Sequence, residues 1–209
     1  MPAAEFQAAL PEPRSILGVR LRPLSIGRYR LLKRFDSPFV AEEGRNVDTI
    51  SDATKELFFA LIVCGLGVQE FKDLLDSGKL GDECKRFGKH LRKQIKRAKG
   101  FNVIASFGEF QEYVLDSEEM PWVVLPTDNK GDVSATHWSH GVEVVLRSKL
   151  NWTKQEIDEE PLTKALNDYF KYMEGQGAVK LVTHEQFAQM ELDGKENGEA
   201  LEKMLAALN

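Results

Sequence analysis

The sequence predicts an all-α fold, in which one multi-helix domain lies between an extended, proline-rich N-terminal arm and a hinged C-terminal helix. After Leu24, apolar residues recur mainly at intervals of three and four, and capping residues precede several of these segments. Alternating runs, which would indicate strands, are few and short. We therefore divide the 209 residues into an arm (1–23), a helical domain (24–193) and a C-terminal tail (194–209).

The composition is that of an ordinary globular protein. Hydrophobic residues make up 42% of the chain and charged residues 29%, which excludes collagen-like and low-complexity classes. Lys and Arg number 28 against 33 Asp and Glu, for a formal net charge of −5. This acidic balance excludes a basic surface over the whole molecule, so any nucleic-acid binding would need a local patch.

The cysteines and the apolar runs predict a cytoplasmic protein with no membrane partner. Cys64 and Cys84 are too few for a disulfide framework and are expected to be free thiols. The first ten residues contain no Lys or Arg and precede no apolar core, so no secretory signal is predicted. The longest apolar run, 57–68, is shorter than the roughly 20 residues that span a bilayer.

The first quarter of the chain predicts an extended arm followed by two helices. Four prolines favour an arm or edge strand over a helix before residue 24. Ser25 is expected to cap a helix that stops at Ser37-Pro38. A second helix is expected to begin at Ser51 or Asp52, and its run 57–63, apolar all round, is typical of the central helix of a bundle.

The middle of the chain predicts three helices and one short extended segment. Apolar spacing places the helices at 68–76, at 83–98 and at 102–115. The segment 120–126 is bounded by prolines and is predicted to be an ordered loop or a short strand. If a strand forms, we expect it at 122–125, paired with residues 19–21.

The second half carries the strongest helix-start signals. Thr153 and Glu156 match the S/T-x-x-E capping box, and Trp152 with Ile157 matches the hydrophobic staple that accompanies it. Other helices are predicted at 137–149, from Pro161 to Gly175, and after a second capping box formed by Thr183 and Gln186.

The C-terminal tail is predicted to be an amphipathic helix behind a hinge at 194–199. Its apolar residues recur at helical spacing and are candidate partner contacts: Leu201, Met204, Leu205 and Leu208. One interpretation is a segment that a binding partner displaces. The other is a last helix packed permanently on its own domain.

Patterns that would indicate an enzyme or a metal site fail on inspection. His137 and His140 could face one metal from a helix, but no Glu or Cys completes the set, and polar residues at a helix start explain them better. Ser139 lacks the G-x-S-x-G context of a nucleophile, and Gly78-Lys79 lacks the flanking residues of a phosphate-binding loop. We predict no enzymatic activity, no catalytic residue, no cofactor and no bound metal.

Positive charge is concentrated between positions 85 and 99, which hold eight Lys or Arg residues and no acid, leaving a net charge of −13 elsewhere. The candidate partner contacts are Lys85, Arg86, Lys89, Arg92, Lys93, Lys96 and Arg97. One interpretation is a helix that docks on nucleic acid or on an acidic protein. The interpretation we favour is a solvated bundle helix, because Phe87, Leu91 and Ile95 already form a core-facing stripe. Nucleic acid is disfavoured, since no aromatics alternate with the cations.

Two stretches resemble a known family. Residues 21–32 (LRPLSIGRYRLL) with Ser37-Pro38-Phe39, and the segment from Trp152 through PLTKAL (161–166) to GQG (175–177) with Leu181-Val182, resemble the two ends of tail assembly chaperones of long-tailed bacteriophages. The resemblance implies a small cytoplasmic helical protein that holds the tape measure protein and recruits tail tube subunits. The alternatives are a structural virion component, such as a head-tail or tail-tip protein, and a nucleic-acid-associated phage protein that uses helix 85–99.

Overall fold

A computed structural model describes residues 14–41, 49–97, 102–118, 121, 123–124 and 137–193. These residues are mostly helical, and their strands form two sheets of two strands each. The all-α prediction is therefore confirmed. Backbone contacts divide the chain into two compact units, which we call the larger and the smaller unit.

The larger unit draws on Ala9–Glu119 and Thr136–Ala165. Its elements, in chain order, are β1 (Ser15–Ile16), β2 (Val19–Arg20), α1 (Ile26–Arg34), a 3₁₀ turn (Pro38–Val40), α2 (Ile50–Gly65), α3 (Val68–Asp76), α4 (Leu80–Arg97), α5 (Val103–Ser117), α6 (Trp138–Lys149) and α7 (Lys154–Glu159).

Strands β1 and β2 form a local hairpin, with Ile16 opposite Val19. The two residues between them, Leu17 and Gly18, have φ angles of 52° and 75°, the left-handed geometry that suits a two-residue hairpin turn. The expectation that residues 19–21 pair with a strand at 122–125 is therefore wrong, since residues 123–124 pair with 180–181. Pairing with the neighbouring strand closes a much shorter loop and so costs less entropy.

Side-chain caps set the start of the helices. Ser25 Oγ accepts the Arg28 N–H at 3.2 Å at the start of α1, as predicted. Helix α2 begins slightly before the predicted Ser51, because Thr49 Oγ1 accepts the Asp52 N–H at 3.1 Å. The predicted capping box of α7 is present, with Thr153 Oγ1 accepting the Glu156 N–H at 3.2 Å.

Helix α2 is the centre of the larger unit and contacts α1, α4, α5 and β2. Leu57 and Leu61 are fully buried in it, which confirms the prediction of a central helix. Aromatic packing extends this core, where the ring of Phe39 lies 4.4 Å from that of Phe107 and 4.5 Å from that of Phe110.

A buried arginine joins α1, α3 and α7. Arg28 is fully buried and donates to the carbonyl oxygens of Pro23, at 3.1 Å, and Leu66, at 3.3 Å. It also pairs with the Glu159 carboxylate, whose other oxygen accepts the Val68 N–H at 2.7 Å. The start of α3 is thus fixed, and α3 in turn contacts α4.

The smaller unit contains β3 (Val123–Val124), most of α8 (Leu162–Gly175), β4 (Lys180–Leu181) and a helix, α9, whose described part covers 184–193. Strands β3 and β4 pair antiparallel. Gly177 has a φ of 71° and reverses the chain after α8, and Glu174 Oε1 accepts the Leu181 N–H at 2.9 Å. The second predicted capping box is present, since Thr183 and Gln186 exchange both hydrogen bonds.

Within the ranges that the structure describes, no helix combines the length and the apolar character that crossing a bilayer requires. The first thirteen residues of the predicted arm, the hinge at 194–199 and the tail contacts Leu201, Met204, Leu205 and Leu208 lie outside those ranges.

Candidate docking groove between two helices

Helix α4 carries the basic cluster, but two acids precede it on the same helix. The helix starts at Leu80, three residues before the predicted Glu83, and its first turn contains Asp82 and Glu83. Asp82 pairs with Lys85 at 3.2 Å and Glu83 pairs with Arg86 at 2.6 Å. The helix dipole favours acids at this end. Two of the candidate cations therefore have an acid beside them, which the count between positions 85 and 99 does not reveal.

Only a narrow side of α4 packs against the rest of the unit. Leu91 is fully buried, whereas the other members of the predicted core stripe, Cys84, Phe87 and Ile95, are half-buried. The candidate contacts whose side chains are described lie exposed along the helix: Lys85, Arg86, Lys89, Arg92 and Lys93. The predicted apolar stripe thus faces the core, but only Leu91 in it is fully buried.

A groove of about 400 Å³ runs between α2 and α4. Its apolar floor comes from both helices and consists of Phe58, Phe59, Ile62, Cys84 and Gly88. Its rim is cationic and consists of Lys55, Lys85, Lys89 and Arg92. We call this site the α2–α4 groove. It places apolar surface and positive charge side by side.

Packing beneath the groove holds its floor in place. The ring of Phe59 meets Phe35 at 4.9 Å and Phe71 at 6.0 Å, both edge-on. A Cβ added at Gly88 would meet no atom within 4 Å, so the α4 side of the groove has room for a further side chain.

The rim cations differ in their partners. Lys55 pairs with Asp52 at 2.8 Å and lowers the pKa of that carboxyl by hydrogen bonding, with a further contribution from Thr49. Lys89 and Arg92 have no ion-pair partner among the residues that the structure describes. Burial raises the pKa of the Cys84 thiol in the floor, and the charge of Glu83 adds to this. The Cys84 thiol of the floor is thus uncharged near neutral pH.

The structure brings three of the candidate contacts, Lys85, Lys89 and Arg92, to the groove. Arg86 and Lys93 are exposed on α4 but do not line the groove. Lys96 and Arg97 belong to α4 and their side chains lie outside the described part of the molecule, as do the tail residues.

Sequence reasoning missed the contribution of α2. Lys55, Phe58 and Phe59 were absent from the candidate contacts, because the whole run 57–63 was interpreted as core. The signal in the sequence was that this run is apolar on every side of the helix. Packing against a core needs an apolar stripe on one side only. The adjacent Phe58 and Phe59 indicate the apolar face of α2 that the core does not fully cover.

The two imidazoles three residues apart, His137 and His140, lie at the start of α6. His137 caps α6, where its Nδ1 accepts the Ser139 N–H at 3.3 Å. Across the described ranges, no group of three or more His, Cys, Asp or Glu side chains is placed to hold a metal ion. Comparison with protein-family models, curated proteins and solved structures finds no match to this chain.

Proposed function

We propose that this protein binds helices of other proteins, and that the α2–α4 groove takes an amphipathic helix with an apolar stripe flanked by acidic residues. The observation that carries the proposal is the apolar floor framed by a cationic rim. A partner helix places residues at i, i+3, i+4 and i+7 into such a groove and its charged residues at the edges.

The floor supplies the attraction. Phe58 and Phe59 are half-buried and offer aromatic surface above the buried Ile62, and burial of apolar surface is worth about 25 cal/mol per Å² before the entropy cost of association. Phe59 is already held by neighbouring rings, so little side-chain entropy is lost there on binding. The helix partner therefore meets a preformed apolar surface.

The rim supplies the selectivity. Lys89 and Arg92 lie three residues apart on α4, which places them on one face, and both are exposed. Acidic residues beside the partner's apolar stripe satisfy these charges, whereas basic residues there are repelled. The partner is thereby restricted to acidic helices.

The same features favour a protein partner over nucleic acid. Base stacking needs accessible aromatic faces among the cations, and Phe87, the single Phe, Tyr or Trp between positions 85 and 99, is half-buried. The chain outside the 85–99 segment carries a net charge of −13, which repels phosphates.

A tail assembly chaperone is the biological role that we propose for this binding. A long coiled-coil protein such as a phage tape measure presents apolar stripes flanked by charged positions, which is the chemistry that the groove accepts. The resemblance of residues 21–32 and of the segment from Trp152 to Val182 supports the same role. Such a protein acts in the host cytoplasm by binding alone, with no catalytic step.

Two designed peptides of about 20 residues test the proposal, since this length sustains a helix. Both carry the same leucine stripe, flanked by Glu in one and by Lys in the other. The full chain is expected to bind the Glu peptide and not the Lys peptide in isothermal titration calorimetry. K89E should weaken the binding about tenfold or more. K93E is the matched control, because Lys93 is exposed on α4 outside the groove, and it should bind as the wild type does.

A second pair of variants tests the floor independently of charge. Gly88→Leu fills the groove and should abolish binding of the Glu peptide, whereas Gly81→Leu adds the same side chain to α4 away from the groove and should leave binding intact. Equal binding by both variants would overturn the proposed site. Duplex DNA that binds the wild type and loses affinity with K89E would instead favour the nucleic-acid alternative.

A further inference from the structure

A second concave site lies in the larger unit, where the end of α1 meets the start of α6. This cavity has a volume of about 380 Å³. Its lining consists of Arg30, Lys33, Arg34, His137, Ser139 and His140. It shares no residue with the α2–α4 groove. We call it the α1–α6 cavity.

The lining of the α1–α6 cavity is basic throughout except for Ser139. Arg30 is fixed in place, because its Nε donates to Ser139 Oγ at 3.3 Å and its Nη2 donates to the Ser139 carbonyl at 2.9 Å. Arg30 also pairs with Glu143, which offsets its charge. The second guanidinium of the cavity belongs to Arg34, and two imidazoles line the cavity with it.

Arg34 and His140 line this cavity from two different helices and are both exposed. Neither has a side-chain hydrogen bond or ion pair to another residue of the described ranges. The first amides of α6 are already bonded, since His137 accepts the N–H of Ser139 on Nδ1 and that of His140 on its carbonyl oxygen. The donors that remain for a ligand are therefore side chains rather than the helix terminus.

We propose that the α1–α6 cavity binds the phosphoryl dianion of inorganic phosphate or of a small phosphate monoester. A guanidinium group presents a planar fork of donors that matches two oxygens of such a dianion, and the Arg34 guanidinium is the one with donors to spare. The imidazole of His140 adds a donor from α6. A phosphoryl dianion has a third oxygen for the imidazole when two accept from the guanidinium fork, whereas a carboxylate has two oxygens in all.

The two candidate ligands, inorganic phosphate and a phosphate monoester, are distinguished by their affinities for the cavity. Inorganic phosphate and phenyl phosphate are titrated into the full chain, with chloride added to keep the ionic strength constant. The half-exposed ring of Trp138 lies 5.5 Å from that of His137, so a phenyl group has apolar surface to contact at this end of α6. Tighter binding of phenyl phosphate identifies a monoester as the ligand, and equal binding identifies free phosphate.

The location is tested by amide chemical shifts and by variants. Shifts on addition of phosphate are expected at Arg34, Ser139 and His140. Arg34→Ala and His140→Ala should each weaken binding about tenfold, the size expected for loss of one charge-assisted hydrogen bond. Lys149→Ala removes an exposed cation from the far end of α6 and is the matched control, which should bind as the wild type does. Thermal unfolding of each variant confirms that it is folded.

Three outcomes would overturn the proposal: no binding of either compound, equal weakening by Lys149→Ala and Arg34→Ala, or shifts concentrated on α4 rather than on α6. These outcomes do not affect the helix-binding proposal, because the α2–α4 groove and the α1–α6 cavity share no lining residue.

Discussion

Gly27 of α1 lies directly against Asp158 of α7. A Cβ at position 27 would stand 2.7 Å from Asp158 Oδ1 and 2.8 Å from its Cα, closer than real Cβ contacts allow. Ser25 Oγ donates to the Asp158 carbonyl at 2.5 Å and holds the same approach. The two helices therefore cross backbone to backbone at this point, and only glycine fits there.

Gly27→Ala should destabilise the protein by about 1–3 kcal/mol, because the new methyl group must displace backbone rather than a flexible side chain. Gly108→Ala in α5 is the control. A Cβ there meets no atom within 4 Å, so the higher helix propensity of alanine should stabilise by about 0.5–1 kcal/mol. Urea unfolding followed by circular dichroism measures both. Similar effects of the two substitutions would show that the close crossing is absent.

Removal of the buried guanidinium should be more costly. Arg28→Met leaves the carbonyls of Pro23 and Leu66 and the Glu159 carboxylate without their donor, and loss of one member of a buried ion pair costs about 3–5 kcal/mol. Glu159→Gln should also destabilise the protein, because it leaves the fully buried guanidinium of Arg28 without its counter-charge, although the amide oxygen can still accept a hydrogen bond. A loss below about 1 kcal/mol for Arg28→Met, measured by urea unfolding, would be inconsistent with this network.

Thr153→Ala should reduce the free energy of unfolding by about 1 kcal/mol, because Thr153 Oγ1 caps α7. Thr54→Ala serves as the comparison, since the Thr54 hydroxyl donates within α2 to the Ile50 carbonyl and caps no helix start. A Thr153→Ala variant as stable as the wild type in thermal and urea unfolding would place the start of α7 elsewhere.

Stability should fall in acid partly through Glu143. Burial alone raises the pKa of this carboxyl, but the hydrogen bonds and charges of Arg30 and Lys154 outweigh burial and lower its pKa below 4.5. A lowered pKa stabilises the fold above the unfolded-state pKa, and this contribution is lost as the pH falls through the folded-state value. From about pH 5 to about pH 3, Glu143→Gln should therefore lose less stability than the wild type. Parallel curves of unfolding free energy against pH would contradict this.

The sequence predicts the local features of the fold well. Caps at Ser25 and Thr153 act over three residues, so the same short motif that is visible in the sequence closes the same hydrogen bond in the structure. Periodicity likewise places α3 at the predicted 68–76, because one apolar face is enough to define a short helix.

Contacts between distant residues are what the sequence does not reveal. No local pattern indicates that Gly27 meets Asp158, or that residues 123–124 pair with 180–181 rather than with 19–21. The groove is of the same kind, since its floor combines Phe58 of α2 with Gly88 of α4. Helices α2 and α4 each have the sequence pattern of a packed helix. Only where the two lie side by side does a groove with apolar surface beside cations form.

Alkylation of Cys84 in the presence of the Glu peptide is the most direct test of the α2–α4 groove. Cys84 lies in the floor and is half-buried, whereas Cys64 is fully buried in α2 and serves as the internal reference. Because burial raises the pKa of both thiols, to about 12 for Cys64, the rates are compared by mass spectrometry at one fixed alkaline pH. At about ten times the Kd, the Glu peptide should slow alkylation of Cys84 about tenfold and leave Cys64 unchanged, and the Lys peptide should protect neither. Full reactivity of Cys84 with the Glu peptide bound would contradict the account.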